Sequence, residues 1–160
     1  SWDTIPFMSS NIDEIDRAIL RILQRDASVS VDVLAEKVHM SRNACWRRMK
    51  QLEAQNVIKN RVVLVNPDEV GLGLSVVVLI KTNAHDPSWL KQFRDAIKMM
   101  PEILGAHRMT GELDYVLRVR VADVKAYDRF YQDLIRRVDI ADVSASFVME
   151  DLKDTTELPI

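Results

Sequence analysis

VDVLAEKVHMSRNACWRRMKQL, residues 31–52, reads as a short helix, a turn at His39–Met40–Ser41 and a second helix with concentrated positive charge. Between Ser41 and Gln51 stand four basic residues, Arg42, Arg47, Arg48 and Lys50, and no acidic one, although acids outnumber bases 24 to 22 over the chain. At roughly 100° per residue, Cys45, Met49 and Leu52 share one side of the second helix, the i, i+4, i+7 spacing of a buried stripe. Asn43, Arg47 and Lys50 take the opposite side, flanked by Trp46 and Gln51, with Arg42 at the exposed first turn. Ser41 suits the N-cap, its hydroxyl accepting from a free N–H of the first turn. A helix, a tight turn and an amphipathic helix with donors outward form the pattern of a helix-turn-helix, whose second helix enters the major groove of double-stranded DNA. A solvated face on an ordinary surface helix is the plainer reading of the same cations.

A third helix upstream favours the first reading. Asn11 or Asp13 can cap a helix running to about Asp26, with Ile12, Ile15, Ile19, Ile22 and Leu23 along one apolar stripe. Ser30 then caps the helix whose apolar side is Val33, Leu34 and Val38, and the basic helix is expected from Arg42 to Asn56. Residues 1–10 show no periodicity and form an N-terminal extension in which Met8 is a candidate natural start. Beyond the helices, Ile58 to Val65 is β-branched and apolar, so a strand is predicted, broken by Asn66–Pro67–Asp68. The divisions expected are a headpiece at 11–60, a hinge strand and linker at 61–72, and a body at 73–160.

The body alternates in a definite order. Strands are predicted at Leu74–Thr82, Ile103–Thr110, Asp114–Val121 and Val143–Leu152. Helices are predicted at Pro87–Met100, with Trp89, Phe93, Ile97 and Met100 inward, and at Asp123–Val138, with Tyr127, Phe130, Tyr131, Leu134 and Val138 inward. The order βαββαβ is the ferredoxin-like plan, so the fold class is α+β. Both helices then cover one face of a four-stranded sheet. Leu74–Ile80 is apolar on both sides, Leu74, Val76, Val78 and Ile80 on one and Val77 and Leu79 on the other, where a strand with one wet face should alternate with polar residues. A second copy is therefore expected on the open face, giving a two-fold homodimer that presents two recognition helices to one duplex.

Composition narrows the function classes. The chain has 160 residues, 48% of them hydrophobic, enough for a packed core in one domain or two small ones. No apolar run approaches the roughly 20 residues that span a bilayer, and no signal pattern opens the chain, so the expected setting is cytoplasmic, with no membrane partner. The net charge of −2 divides unevenly: nine bases less eight acids give +1 over residues 1–60, and thirteen less sixteen give −3 over residues 61–160. Basicity is thus local to the second helix of the motif. The single Cys45 lies on an apolar stripe and reads as a small core hydrophobe. His39, His85 and His107 have no metal-ligand spacing, no glycine-rich phosphate loop is present, and no carboxylate pairing stands out, so no catalytic or metal site is expected and the chain is not read as an enzyme.

Taken together these stretches resemble the Lrp/AsnC, or feast/famine, family of bacterial transcription regulators. The marks are IDEIDRAILRILQRDA, LAEKVHMSRNACWRRMKQLEAQNVI, VVLVNPDEVGLG, MTGELDYVLRVRV and FVMEDLKDTTELPI, in order over residues 11–160. The resemblance implies an N-terminal winged helix-turn-helix and a C-terminal ferredoxin-like (RAM) domain, dimers that often assemble to octamers, and a cytoplasmic, nucleoid-associated regulator of amino-acid metabolism gated by an amino-acid effector and needing no other cofactor. The implied DNA-binding residues are Ser41, Arg42, Asn43, Trp46, Arg47 and Lys50. The implied effector site takes Arg108, Met109, Thr110, Gly111, Glu112 and Asp114 at the turn, and Ser144, Ser146, Phe147 and Val148 near the last strand.

The turn is chemically suited to that use. Gly111 admits φ > 0, Asp114 can accept from an ammonium group, and free backbone N–H groups can hold a carboxylate; a simple hairpin turn explains the same residues. Two departures from the family's pattern stand out. Val138–Asp139–Ile140 occupies a Pro-Gly-Val turn of many relatives, so a different loop shape is expected there. Arg108 is often apolar in relatives; its cation either binds an effector carboxylate or pairs with Glu112 or Asp114. The overall pattern resembles a branch linked to cysteine response. Two other readings stay open: an enzyme with a regulatory headpiece, and an effector-independent protein that wraps DNA.

Overall fold

A computed structural model describes residues 11–160, so the expectation for residues 1–10 lies outside the described residues. Contacts divide the chain into two compact units, one reaching Val63 and including Lys153–Ile160, the other Leu64–Leu152.

The first unit is built on three helices, α1 (Glu14–Arg25), α2 (Val31–Lys37) and α3 (Arg42–Ala54). Asp13 caps α1 in a reciprocal box: its Oδ1 accepts from Asp16 N at 2.8 Å, while Asp16 Oδ2 accepts from Asp13 N at 3.1 Å. Ser30 caps α2 and Ser41 caps α3. The core is Ile19, Leu20, Leu34, Ala35, Cys45, Met49 and Leu52, so the stripe expected on α3 is buried as read. On α1 the inward face is turned slightly: Leu20 is buried and Ile15 is 37% exposed. Burial pushes the Cys45 thiol up, away from thiolate chemistry.

The turn between α2 and α3 closes on a residue without glycine's freedom. His39 has φ 57°, with His39 N donating to Glu36 O at 3.2 Å and Met40 N to Ala35 O at 2.9 Å, which satisfies the last carbonyls of α2. A left-handed non-glycine residue costs roughly 1–2 kcal/mol, of which glycine recovers part after its own chain-entropy loss. His39→Gly is expected to raise stability by up to about 1 kcal/mol, read as a higher midpoint in thermal denaturation.

Residues 153–160, expected in the C-terminal domain, pack with the headpiece instead. Gln24 pairs with the Leu158 backbone in both directions, Leu158 N to Oε1 at 2.6 Å and Nε2 to Leu158 O at 3.1 Å. Arg21 Nε donates to Ile160 O at 2.5 Å, and Arg25 bridges Glu157 at 2.8 Å. Ile160 joins the headpiece core. Alternating polar and apolar residues at 148–157 gave the sequence reading a strand; β-type pattern without a neighbouring edge leaves extended chain. The same correction applies to residues 58–65, which form no strand, so the expected wing is absent among the described residues. Val62, Val63, Leu64 and Val65 are 63–87% exposed there.

The second unit follows the βαββαβ order: β1 (Leu74–Lys81), α4 (Pro87–Met99), β2 (Ile103–Arg108), β3 (Tyr115–Val121), α5 (Val124–Arg137) and β4 (Asp142–Phe147). The sheet runs β2-β3-β1-β4 with antiparallel neighbours. Val76, Val78 and Ile80 of β1 and Leu117, Val119 and Val121 of β3 are buried with Trp89, Phe93, Ala96 and Met100 from α4 and Phe130, Leu134 and Val138 from α5. Trp89, Phe93 and Tyr115 form an aromatic group, with Phe93 and Tyr115 centroids 4.6 Å apart. The loop at Val138–Ile140, marked as unusual in sequence, is anchored by the Trp89 indole donating to Asp139 O at 2.7 Å. Ladder partners place Val77 and Leu79 on the other face, between Arg118 and Ser146 and between Val116 and Ser144.

Candidate nucleic-acid interface and effector pocket

Each side chain on α3 takes one of two roles, and the charges divide accordingly. Arg48, on the inner flank, donates from Nη1 to Asp13 Oδ2 at 2.6 Å and to Asp16 Oδ1 at 3.0 Å, tying α3 to the cap of α1. Asp16 is buried, yet its two oxygens and both of Asp13's are occupied. The Asp16 backbone N–H and then the Arg48 guanidinium hold the Asp13 carboxyl below the usual carboxylate range. This cation is structural.

The outward residues differ. Asn43, Trp46, Arg47 and Lys50 are exposed, and Trp46 keeps 48% of its surface open despite its size. Arg42 bridges Asp32 at 3.1 Å between well-exposed groups, while Lys50 reaches Glu53 at 3.4 Å and sits 5.8 Å from the Trp46 ring centre. Such exposed pairs are worth little and yield readily to phosphate. Arg47 takes part in no ion pair among the described residues. Ser41 spends its oxygen on Ala44 N at 3.2 Å, so it positions the helix start and keeps only its hydroxyl proton for a ligand.

In the second unit the expected effector residues fall into separate groups. Gly111 has φ 93°, as the turn between β2 and β3 requires. Asp114 is committed internally: its Oδ2 accepts from the backbone N–H of buried Thr82 at 2.7 Å, its N donates to Ile80 O, and its carbonyl accepts from Met109 N. Met109, Thr110 and Glu112 are exposed. Arg108 makes no ion pair with Glu112 or Asp114; its ladder partner is Tyr115, and it lines a cavity under α4. Ser144 and Ser146 lie on the open face of β4, two strands from β3, whereas Phe147 turns to the helix side and meets Tyr127 edge-on at 5.5 Å. Val148 closes the ladder by donating to Ser75 O. One chain therefore does not gather the turn and the β4 residues into a single pocket.

Residues 12–53 match the model of the AsnC-type helix-turn-helix domain, and residues 75–158 match that of the Lrp/AsnC ligand binding domain. The chain belongs to the Lrp/AsnC family. It is 46% identical to the DNA-binding transcriptional activator DecR of Escherichia coli over 93% of this chain and 99% of that protein. The crystal structure of an AsnC family transcriptional regulator from Agrobacterium tumefaciens is similar with a TM-score of 0.89 at 46% identity, covering 92% of this chain and 97% of that one. The transcriptional regulator NMB0573 of Neisseria meningitidis, solved as an L-Met complex, gives 0.88 at 32% identity over 92% and 96% of the two chains.

Two features of this Lrp/AsnC protein escaped sequence reading. Arg48 looked like one more cation of the basic helix; its i+3 relation to Cys45, on the buried stripe, was the available signal. Arg118 lies over Gly105, where an added Cβ would come within 2.8 Å of the guanidinium, beside a register break between Ile103 and Gly105. Nothing local in the sequence joins those residues.

Proposed function

We propose that this Lrp/AsnC protein is a sequence-specific DNA-binding transcriptional regulator of amino-acid metabolism, whose DNA affinity or assembly responds to an amino-acid effector. The observation that carries the DNA half is the outward face of α3: a well-capped helix presenting Asn43, Trp46, unpaired Arg47 and loosely paired Arg42 and Lys50. Asn43 has the chemistry to read adenine, while Arg47 and Lys50 can donate to guanine edges or phosphates.

The working unit is a homodimer that assembles further, to an octamer. Val77, Leu79 and Val116 on the uncovered sheet face, and the exposed run Val62–Val65 with its unpaired backbone, support a second copy as the missing neighbour. A shared site would also bring together Gly111–Asp114 from one subunit and Ser144–Val148 from another, which a single chain keeps apart. With Asp114 already holding Thr82, the ammonium of an effector falls to Glu112 and to carbonyls of the turn. Its carboxylate falls to free N–H groups there.

Calorimetric titration with the twenty amino acids, cysteine first among them, tests the sensor. Saturable binding that changes operator affinity is expected, because a ligand shifts only an equilibrium whose states it binds unequally. Operator binding without any amino-acid response would identify an effector-independent DNA-wrapping protein. Sedimentation with and without ligand reads the assembly.

A further inference from the structure

A cavity of about 390 Å³ opens between α4 and the β2–β3 edge, lined by His85, Arg94 and Arg108 on its polar side and by Leu90, Phe93 and Ile97 on its apolar side. Its size lies in the range of small-molecule sites. Phe93, stacked near Tyr115, forms a rigid floor. Arg94 and Arg108 are both exposed, and neither makes an ion pair or a side-chain hydrogen bond among the described residues. The acids that could neutralise them are engaged elsewhere: Asp95 with Lys91 at 2.8 Å, Asp86 with Trp89 N at 2.9 Å, and Asp114 with Thr82 N at 2.7 Å. No carboxylate lines the cavity.

That charge pattern selects a ligand class. Two guanidiniums and an imidazole facing one space without a counter-ion suit an anion with more than one acceptor group, and Arg binds carboxylates through its planar fork. An α-ammonium would enter beside two cations with no acidic partner, so a zwitterion is disfavoured. Inorganic phosphate would leave the apolar side unused. We infer that this cavity binds a small dicarboxylate lacking an ammonium group, its carboxylates on Arg94 and Arg108 and its carbon chain over Leu90, Phe93 and Ile97. The site differs in residues and in ligand charge from the turn at Thr110–Asp114 and does not depend on that turn's receiving an amino acid. With both sites occupied in turn, the protein compares an amino acid with a nitrogen-free acid.

The test is calorimetric titration of the full chain with succinate, 2-oxoglutarate, glutamate and inorganic phosphate at matched ionic strength. Arg94→Gln and Arg108→Gln are compared with Glu112→Gln at the turn; all three side chains are exposed, so the fold is kept. The expected result is saturable binding of a dicarboxylate, at least tenfold tighter than glutamate or phosphate, weakened at least tenfold by each arginine substitution and unchanged by Glu112→Gln. Absence of saturable dicarboxylate binding overturns the inference. So does equal binding of glutamate, equal binding of phosphate, or undiminished affinity in both arginine variants.

Discussion

Replacing Arg47 by alanine is expected to weaken binding to a specific operator duplex about ten- to a hundredfold, with the melting temperature unchanged. A side chain donating to a guanine edge is worth about 1–3 kcal/mol of discrimination, and the two subunits of a dimer each lose one. Arg47 is exposed and spends nothing on the headpiece's own interactions, since the ion pairs of α3 are made by Arg42, Arg48 and Lys50. Its removal therefore costs the fold almost nothing. A titration at several salt concentrations separates the two kinds of contact. A base contact relaxes sequence preference and leaves the salt slope unchanged, whereas a phosphate contact weakens all sequences alike and lowers the slope by about one per arginine. Unchanged operator affinity at matched salt would remove Arg47 from the interface and, with it, the orientation assigned to α3.

How far the sequence carried this reading depended on whether a feature was local and periodic. Cys45, Met49 and Leu52 were legible because a helix repeats its inward face every three to four residues, and all three are buried. The alternation in β1 was legible for the same reason: Val76, Val78 and Ile80 are buried while Val77 and Leu79 face the other way. Ile58–Val65 misled because β-branched composition records a preference for extended chain, while a strand needs a partner edge, and none is supplied within the chain. Gln24 and Leu158 meet across 134 positions of sequence. No window of local pattern reaches that far, so the tail was assigned to the wrong unit. The candidate effector site shows the same limit. Gly111 was readable as a turn glycine, but that Asp114 would hold Thr82 N–H and that Arg108 would turn beneath α4 follow from strand pairing.

Arg48, one position along the helix from Arg47, should behave in the opposite way. Arg48→Ala is expected to destabilise the headpiece by about 2 kcal/mol, since charge-assisted hydrogen bonds are worth roughly 1.5–3 kcal/mol. Most of that falls on Asp16, whose side chain is 12% exposed, and little on Asp13, whose side chain is 53% exposed and screened by water. The measurement is urea denaturation of the full chain, with hydrogen exchange of the α1 amides to locate the loss. The pH dependence fixes the sign. A carboxyl whose folded pKa lies below its unfolded value contributes fully above the unfolded value, and that contribution is lost as pH falls through the folded one. For Asp13 the larger cause of lowering, the Asp16 backbone N–H, survives the substitution, and the Arg48 contribution does not. The stability gap between the two proteins should thus be widest near neutral pH and narrow as the medium is acidified below about pH 4. A variant that keeps its stability and loses operator binding would place Arg48 on the DNA instead, and the division of α3 into a structural and a reading side would have to be redrawn.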